Sequence, residues 1–252
     1  MSYCHHLPKK NFFQNLTENL SKATITRIEE VKRGQASNSL WFQHRRGVIS
    51  ASKVHEVKTK MSKIAKKDGD HSEKMWSLIK NVSGMTFINP NLPALKYDRD
   101  MEPLAANRLF DILKVKHKKL KMEEPGLYLD VDKLFIGTSP DRIISCLCHG
   151  KMCVEIKCPY SISDKSPTNN DVNLNFLIKG SDGNKELKKS HGYFSQCQHQ
   201  MGVTGLKKCI FFVYTAHGHI MNEIEFDQYF YDDLSEKCDR FYREFYLPSF
   251  YK

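Results

Sequence analysis

A mixed α/β fold is predicted by three observations. Two short runs rich in Ile, Val and Cys, 139–145 and 153–159, flank a turn signal at Cys148-His149-Gly150-Lys151 and read together as a β-hairpin. A second apolar run, Cys209-Ile210-Phe211-Phe212-Val213-Tyr214, reads as a buried strand paired with Ile220 to Phe226 across His217-Gly218. Amphipathic stretches with helical spacing precede, separate and follow these strands.

In chain order, residues 1–20 form a polar N-terminal extension punctuated by Pro8. From Thr17 to Lys32, Leu20, Ala23, Ile25, Ile28 and Val31 recur at helical spacing, and Gly34 follows as a stop. A second helix is predicted to start within Ser50-Ala51-Ser52-Lys53-Val54, with Ser50 or Ser52 as N-cap and free N–H groups offered to an anion. Asp100 to Lys114 carries Leu104, Ala105, Leu109, Ile112 and Leu113 on one stripe; Pro103 then belongs to a first turn or a kink. Gly126 to Asp130 and Leu134 to Thr138 read as strands leading into the hairpin. The polar stretch from Ser161 to Ser190 is a long connection able to order over a substrate. His191 to Val203 reads as a helix with Gln196 and Gln200 on one face, and Phe230 to Tyr246 as a closing helix stopped before Pro248.

A chain of 252 residues can bury one large core, and no Pro/Gly/Ser-rich linker divides it, so a single domain over 1–252 is expected. Lys and Arg number 39 against 29 Asp and Glu, a net charge of +10, which favours a polyanionic partner, nucleic acid first. The basic runs Lys58 to Lys67, Lys114 to Lys121 and Lys185 to Lys189 support that reading, although such runs also serve as solvated faces. No stretch of 18 apolar residues exists, which excludes a membrane-spanning helix. With no apolar leader segment, the eight cysteines are read as reduced, in an intracellular protein; nuclear residence is compatible with a eukaryotic source. Cys146, Cys148, Cys153 and Cys158 with His149 match neither paired C-x₂-C nor C₂H₂ spacing, so they are read as buried or turn-lining thiols rather than a zinc site.

The hairpin carries the chemistry. Folding it about Cys148 sets Asp141 opposite Glu155, and alternation places Glu155 and Lys157 on one face with Ile156 pointing into the core. Two carboxylates and an ammonium then converge. Hard divalent cations such as Mg²⁺ take carboxylate oxygens together with substrate phosphates and water, so the trio points to metal-assisted phosphodiester hydrolysis. Arg45 and the nearby serines are candidates for a phosphate site. Glu102, beside Pro103, is either a further site acid or an N-terminal acid favoured by the helix dipole. His44, His191 and His199 lie near these segments and are read as structural.

These pieces stand in one order: Trp41 to Ser52 (W-x-x-x-R-x-G-V-I-S-A-S), Asp98 to Ala105 with Glu102, Ser139-Pro140-Asp141, Glu155-Ile156-Lys157-Cys158-Pro159, and Gln196-Cys197-Gln198-His199-Gln200-Met201. In that order the chain resembles the bacteriophage lambda exonuclease and YqaJ-type viral recombinase family, a branch of the PD-(D/E)XK nucleases. The resemblance spans about residues 41–204, the motif-bearing core, with 205–252 supplying the C-terminal strands and helix. It implies a restriction-endonuclease-like core, a central mixed β-sheet flanked by helices. It also implies that Asp141, Glu155, the Ile156 carbonyl and Glu102 ligate Mg²⁺, with Mn²⁺ as a substitute, and that Lys157 activates the attacking water. Gln196 matches the glutamine at the metal-water shell, and Arg45, Ser52 and Ser139 match the pocket for a 5′-terminal phosphate. The implied activity is a 5′ to 3′ exonuclease on double-stranded DNA ends, in recombination or processing. A single-strand annealing protein is the implied partner and ring-shaped homo-oligomers the implied assembly. An inactive DNA-binding accessory module, an endonuclease and an RNA-degrading relative are the alternatives. Two positions depart from the family pattern. Arg142 stands where Gly follows Ser-Pro-Asp, either as a phosphate contact or as a reshaped turn; Asp98 replaces a Gly four residues before Glu102, either as a ligand or in solvent.

Overall fold

The computed structural model describes residues 29–31, 33, 45–65, 71–87, 89–181 and 183–251. Most of the predicted helix at Thr17 to Lys32, together with Trp41 and His44, lies outside the described residues.

A short strand β1 (Ile49–Ser50) runs into α1 (Ala51–Ile64), followed by α2 (Ser72–Val82) and the long α3 (Pro93–Lys114). Strands β2 (Lys121–Glu123), β3 (Tyr128–Leu129), β4 (Ile136–Thr138), β5 (Arg142–Cys146) and β6 (Gly150–Lys157) come next. A small hairpin, β7 (Leu177–Lys179) and β8 (Lys185–Leu187), precedes α4 (Gly192–Thr204). Strands β9 (Lys208–Thr215) and β10 (Gly218–Glu225) and helix α5 (Gln228–Phe241) complete the regular elements, before a π turn at Tyr242–Tyr246 and a 3₁₀ turn at Leu247–Phe250.

The central sheet has five strands in the order β10-β9-β6-β5-β2. It is mixed: β6 and β9 run parallel, while the other neighbours are antiparallel. Parallel pairing needs a crossover, and α4 supplies it. A second sheet, β1-β4-β3, lies beside it, with Ile49 opposite Ile136 and Ser50 opposite Gly137.

Side-chain alternation along β6 and β9 sorts the sheet's two faces. Cys153, Cys209, Phe211 and Val213 pack on the side that buries Phe194, Cys197 and Met201 of α4. Val154, Ile156, Ile210 and Phe212 pack on the other side, against Ala105, Ala106, Leu109 and Leu113 of α3. A third cluster joins α1, α2 and α5 around β1 and β4. Two glycines mark close approaches around α4 and β4. A Cβ at Gly202 of α4 would lie 2.1 Å from the Tyr231 ring of α5, and one at Gly137 would lie 2.9 Å from the Tyr128 carbonyl.

Several sequence expectations are corrected. Helix α3 begins at Pro93 rather than near Asp100, because Pro93 suits an N-terminal position, so Pro103 sits inside the helix and forgoes the bond to the Arg99 carbonyl. Leu104 is 53% exposed and Ala106 takes its expected place in the stripe. Helix α2 and strand β2 are unforeseen. The stretch from Ser161 to Ser190 is no open connection. It buries Val172, Leu174, Phe176 and Leu177, and Asn222 of β10 accepts from the Leu187 N–H at 3.0 Å and donates to the Lys185 carbonyl at 3.1 Å. These bonds tie β8 to the edge of the central sheet. The closing α-helix ends at Phe241, where the π turn begins.

The expected structural histidines include two that are described. His191 caps α4, its Nδ1 accepting from the Tyr193 N–H at 3.1 Å. His199 is fully enclosed, and its Nε2–H donates to the Gly137 carbonyl at 3.1 Å, joining α4 to β4. Burial lowers its pKa to about 4 from 6.5. A group held neutral in the native state and protonated in the unfolded chain removes stability as pH falls from 6.5 to about 4. The loss is expected to reach roughly 3 kcal/mol, from about 1.4 kcal/mol per pK unit. Urea denaturation of wild type and His199→Gln across this range checks it; parallel pH profiles for the two proteins would contradict the assignment.

Candidate active site

The β5–β6 register pairs Arg142 with Val154, so the next step along the hairpin sets Asp141 against Glu155, as folding about Cys148 requires. Asp141 Oδ2 accepts from the Ile156 N–H at 2.6 Å, which fixes the carboxyl beside the strand. Glu155 is only 1% exposed and points toward α4. Its Oε1 accepts from Gln196 Nε2 at 2.5 Å and from Lys157 Nζ, and its Oε2 accepts from Gln200 Nε2 at 2.5 Å. Gln196 and Gln200 lie one helical turn apart, so both amides reach one carboxylate. A buried charge persists only when its oxygens are satisfied, and these three donors do that.

Gln200 has no assigned role in the sequence reading, although its spacing from Gln196 carried the signal. Gln198, on the opposite side of α4, instead bonds the Glu225 carbonyl and the Asp227 N–H. Lys157 Nζ also lies 5.0 Å from the centroid of the Tyr193 ring. Burial alone would lower the Lys157 pKa, but Glu155, Asp141 and Asp98 outweigh it and hold the ammonium well above its ordinary value. The Asp141 carboxyl is pushed well up, first by burial and then by the Glu155 charge, against the opposing pull of Lys157.

Glu102 reaches the site from α3, across the opposite face of the sheet. Arg142, whose side chain alternates onto that face, donates from Nη1 to Glu102 Oε1 at 2.8 Å and to the Asp141 carbonyl at 2.5 Å. Burial raises the Glu102 pKa while Arg142 opposes the rise. Among the described residues the carboxylates of Glu102, Asp141 and Glu155 therefore do not form one compact ligand group. Arg142 is thus an ion-pair partner within the site, and Asp98 is not free in solvent: its Oδ1 accepts from the Cys158 N–H at 2.8 Å.

Around the start of α1, Arg45 turns inward while Arg46 is exposed. Burial lowers the Arg45 pKa to about 10, and burial together with the Arg45 charge lowers that of Lys53 to about 8. Lys53 had no role in the sequence reading; its place directly after Ser52 was the available signal. Ser50 caps the helix without a side-chain cap bond, and its hydroxyl lies 3.2 Å from that of the exposed Ser52. The β1–β4 pairing brings this segment alongside the strand that leads into the half-buried Ser139 and Asp141. Two cations and a helix N-terminus thus face one region, an arrangement suited to an anion. A groove along β7, β8 and β10 includes none of Glu102, Asp141 and Glu155.

Oxygen donors of this kind fit a hard divalent cation. Asp141 stands opposite Glu155, and a cation between the two would relieve both the burial of charge and the repulsion that push the Asp141 pKa up.

Residues 40–207 match the sequence model of the YqaJ-like viral recombinase domain, so the chain belongs to that family. The fold is shared with solved structures at low identity. An alkaline exonuclease from Laribacter hongkongensis (LHK-Exo) superposes with a TM-score of 0.55 at 22% identity, over 81% of this chain and 91% of that one. The shutoff and exonuclease protein of Kaposi's sarcoma-associated herpesvirus gives 0.54 at 12% identity, over 88% and 72%. The SOX–RNA complex from the same virus gives 0.56 at 12%, over 90% and 75%. No curated protein matches the sequence.

Above its raised pKa the Asp141 carboxylate is a destabilising charge, and stability falls as pH rises through that pKa. Asp141→Asn, which keeps an acceptor for the Ile156 N–H, is expected to raise the melting temperature of the metal-free protein at neutral pH by about 2–4 °C. An unchanged or lowered melting temperature in calorimetry would remove the repulsion from this account.

Proposed function

We propose that the chain, acting as one nuclease domain, is a Mg²⁺-dependent deoxyribonuclease that removes nucleotides from the 5′ end of duplex DNA. The observation that carries the proposal is Asp141 set against Glu155, with Lys157 donating to the same carboxylate. Family membership and fold support the nuclease class, and the net charge of +10 supports a nucleic-acid substrate.

Asp141, Glu155 and the Ile156 carbonyl are the residues that would hold Mg²⁺, or Mn²⁺ in its place, with Glu102 contributing once Arg142 releases it. When bound, the ion supplies charge stabilisation at the phosphate and lowers the pKa of water. Lys157 donates to Glu155, and its part is to orient the attacking water and to stabilise charge developing on the phosphate oxygens. Gln196 and Gln200 hold the Glu155 carboxylate in place from α4. Arg45 and Lys53, with Ser52 and Ser139, bind the 5′-terminal phosphate, where a guanidinium can engage two oxygens at once. A single-strand annealing protein and a ring of identical chains remain part of this reading through the family resemblance.

End-labelled linear duplex with a 5′-phosphate, covalently closed circles and RNA, incubated with Mg²⁺, separate the outcomes. Mononucleotides are expected from the linear duplex alone, with cleavage reduced about a hundred- to a thousandfold, the scale of one lost charge-stabilising donor, in Lys157→Ala while DNA binding is retained. Wild-type cleavage by Lys157→Ala would sink the assignment. Nicked circles would make the protein an endonuclease, and degradation of RNA alone would change the substrate class. Arg45→Ala is expected to lose the preference for phosphorylated over hydroxyl ends; equal losses on both would remove Arg45 from that role. Mg²⁺ is expected to raise the melting temperature of wild type but not of Asp141→Asn, a binding test independent of turnover.

A further inference from the structure

A second group of metal-ligating side chains lies at the far end of the same hairpin. His117, in the turn after α3, meets Cys146, Cys148 and His149 at the β5–β6 tip, and the four ligand atoms lie within 4.8 Å of one another. His117 Nδ1 is 3.4 Å from Cys146 Sγ, 3.5 Å from Cys148 Sγ and 3.2 Å from His149 Nδ1. Cys146 Sγ is 3.5 Å from Cys148 Sγ and 3.8 Å from His149 Nδ1. A tetrahedral zinc ion with ordinary Zn–S and Zn–N bonds spaces its ligand atoms at roughly 3.8 Å for S to S, 3.5 Å for S to N and 3.3 Å for N to N. The five distances lie within about 0.3 Å of those spacings, and the sixth pair, Cys148 with His149, lies within 4.8 Å.

Hydrogen bonding alone does not account for it. Two thiols and two imidazoles protonated at Nδ1 would offer four protons for the five close contacts. A disulfide does not account for it either, since 3.5 Å between sulfurs is far beyond a bond of about 2.0 Å. The His149 N–H donates to Cys146 Sγ at 3.3 Å. Lysines flank the cluster at 116, 118, 119, 121 and 151, and a zinc ion held by two thiolates and two neutral imidazoles adds no net charge beside them.

We infer that His117, Cys146, Cys148 and His149 form a structural zinc site. Four protein ligands leave no open position for a substrate or water, so the site is a clamp rather than a reaction centre. It corrects the reading of these cysteines as turn-lining thiols. The sequence spacing conceals it because His117 lies 29 residues before Cys146 and is brought in only by the turn after α3. The clamp fastens the C-terminal end of α3, which carries Glu102, to the hairpin that carries Asp141 and Glu155. Glu102 stands 15 residues from His117, roughly 20 Å along the helix, so the clamp acts on the placement of α3 and not on the carboxylates directly.

The full chain, purified untagged under reducing conditions from zinc-supplemented medium, is assayed by mass-spectrometric metal analysis. One zinc per chain is expected, retained in Glu155→Ala and reduced at least tenfold in Cys148→Ser. Cobalt substitution is expected to give the visible bands of a tetrahedral ion together with sulfur-to-cobalt charge transfer. If Cys148→Ser does not fold, the cobalt spectrum of wild type and the zinc content of His117→Gln decide. Chelation of the wild-type zinc is expected to lower its melting temperature. The inference is overturned by zinc that persists in Cys148→Ser but leaves in Glu155→Ala, by an octahedral cobalt spectrum, by failure to bind zinc after reduction, or by a Cys146–Cys148 disulfide under these conditions.

Discussion

The structure is organised around one buried carboxylate. Glu155 sits in the central strand of a mixed sheet, covered by α4, where an uncompensated charge would cost several kcal/mol. Lys157 reaches it from its own strand and the two glutamines from the facing helix. α4 can supply both amides only if it packs at a fixed rotation over β6. That rotation also puts His199 against the Gly137 carbonyl and Gly202 against the Tyr231 ring. The orientation of the crossover helix, the placement of β4 and the seat of α5 are thus coupled to the electrostatics of a single group.

The other acid is held differently. Glu102 belongs to the helix on the opposite face and is restrained by Arg142, which stands in the strand between the two sets of groups. Glycine at that position would leave Glu102 without this ion pair. The arginine therefore holds the acid and the Asp141 backbone through one guanidinium nitrogen. Asp98, also on α3, accepts from the Cys158 N–H just past the end of β6, so α3 is joined to β5 through Glu102 and to the end of β6 through Asp98.

Much of this was legible in the sequence. Period-two patterning and a turn centred on Cys148 are enough to set Asp141 against Glu155, because antiparallel register follows from counting. The N-cap serines located the start of α1, and helical patterning located most of α3, α4 and α5. The misses share a cause: each depends on a contact between distant segments. The start of α3 hinged on Pro93 acting as an initiator, and no local pattern weighed it against Pro103. The role of Gln200 needs the helix face to be known, that of Arg142 needs a helix across the sheet, and His117 joins the cysteines only through the path of a turn. The anchoring of residues 161–190 on β10 likewise rests on Asn222, some 35 residues beyond Leu187, a separation beyond the reach of periodicity.

The hairpin that bears both carboxylates has a further consequence for how such a chain can vary. One substituted residue in β5 or β6 alters packing locally, whereas one inserted or deleted residue moves every position beyond it by half a pleat. Asp141 would then emerge on the α3 face, beside Arg142's present position, and Glu155 would keep its glutamines but lose its opposite acid. Length in these two strands is therefore a stricter requirement than composition, and viable changes in it come as paired additions or as a bulge that absorbs the extra residue.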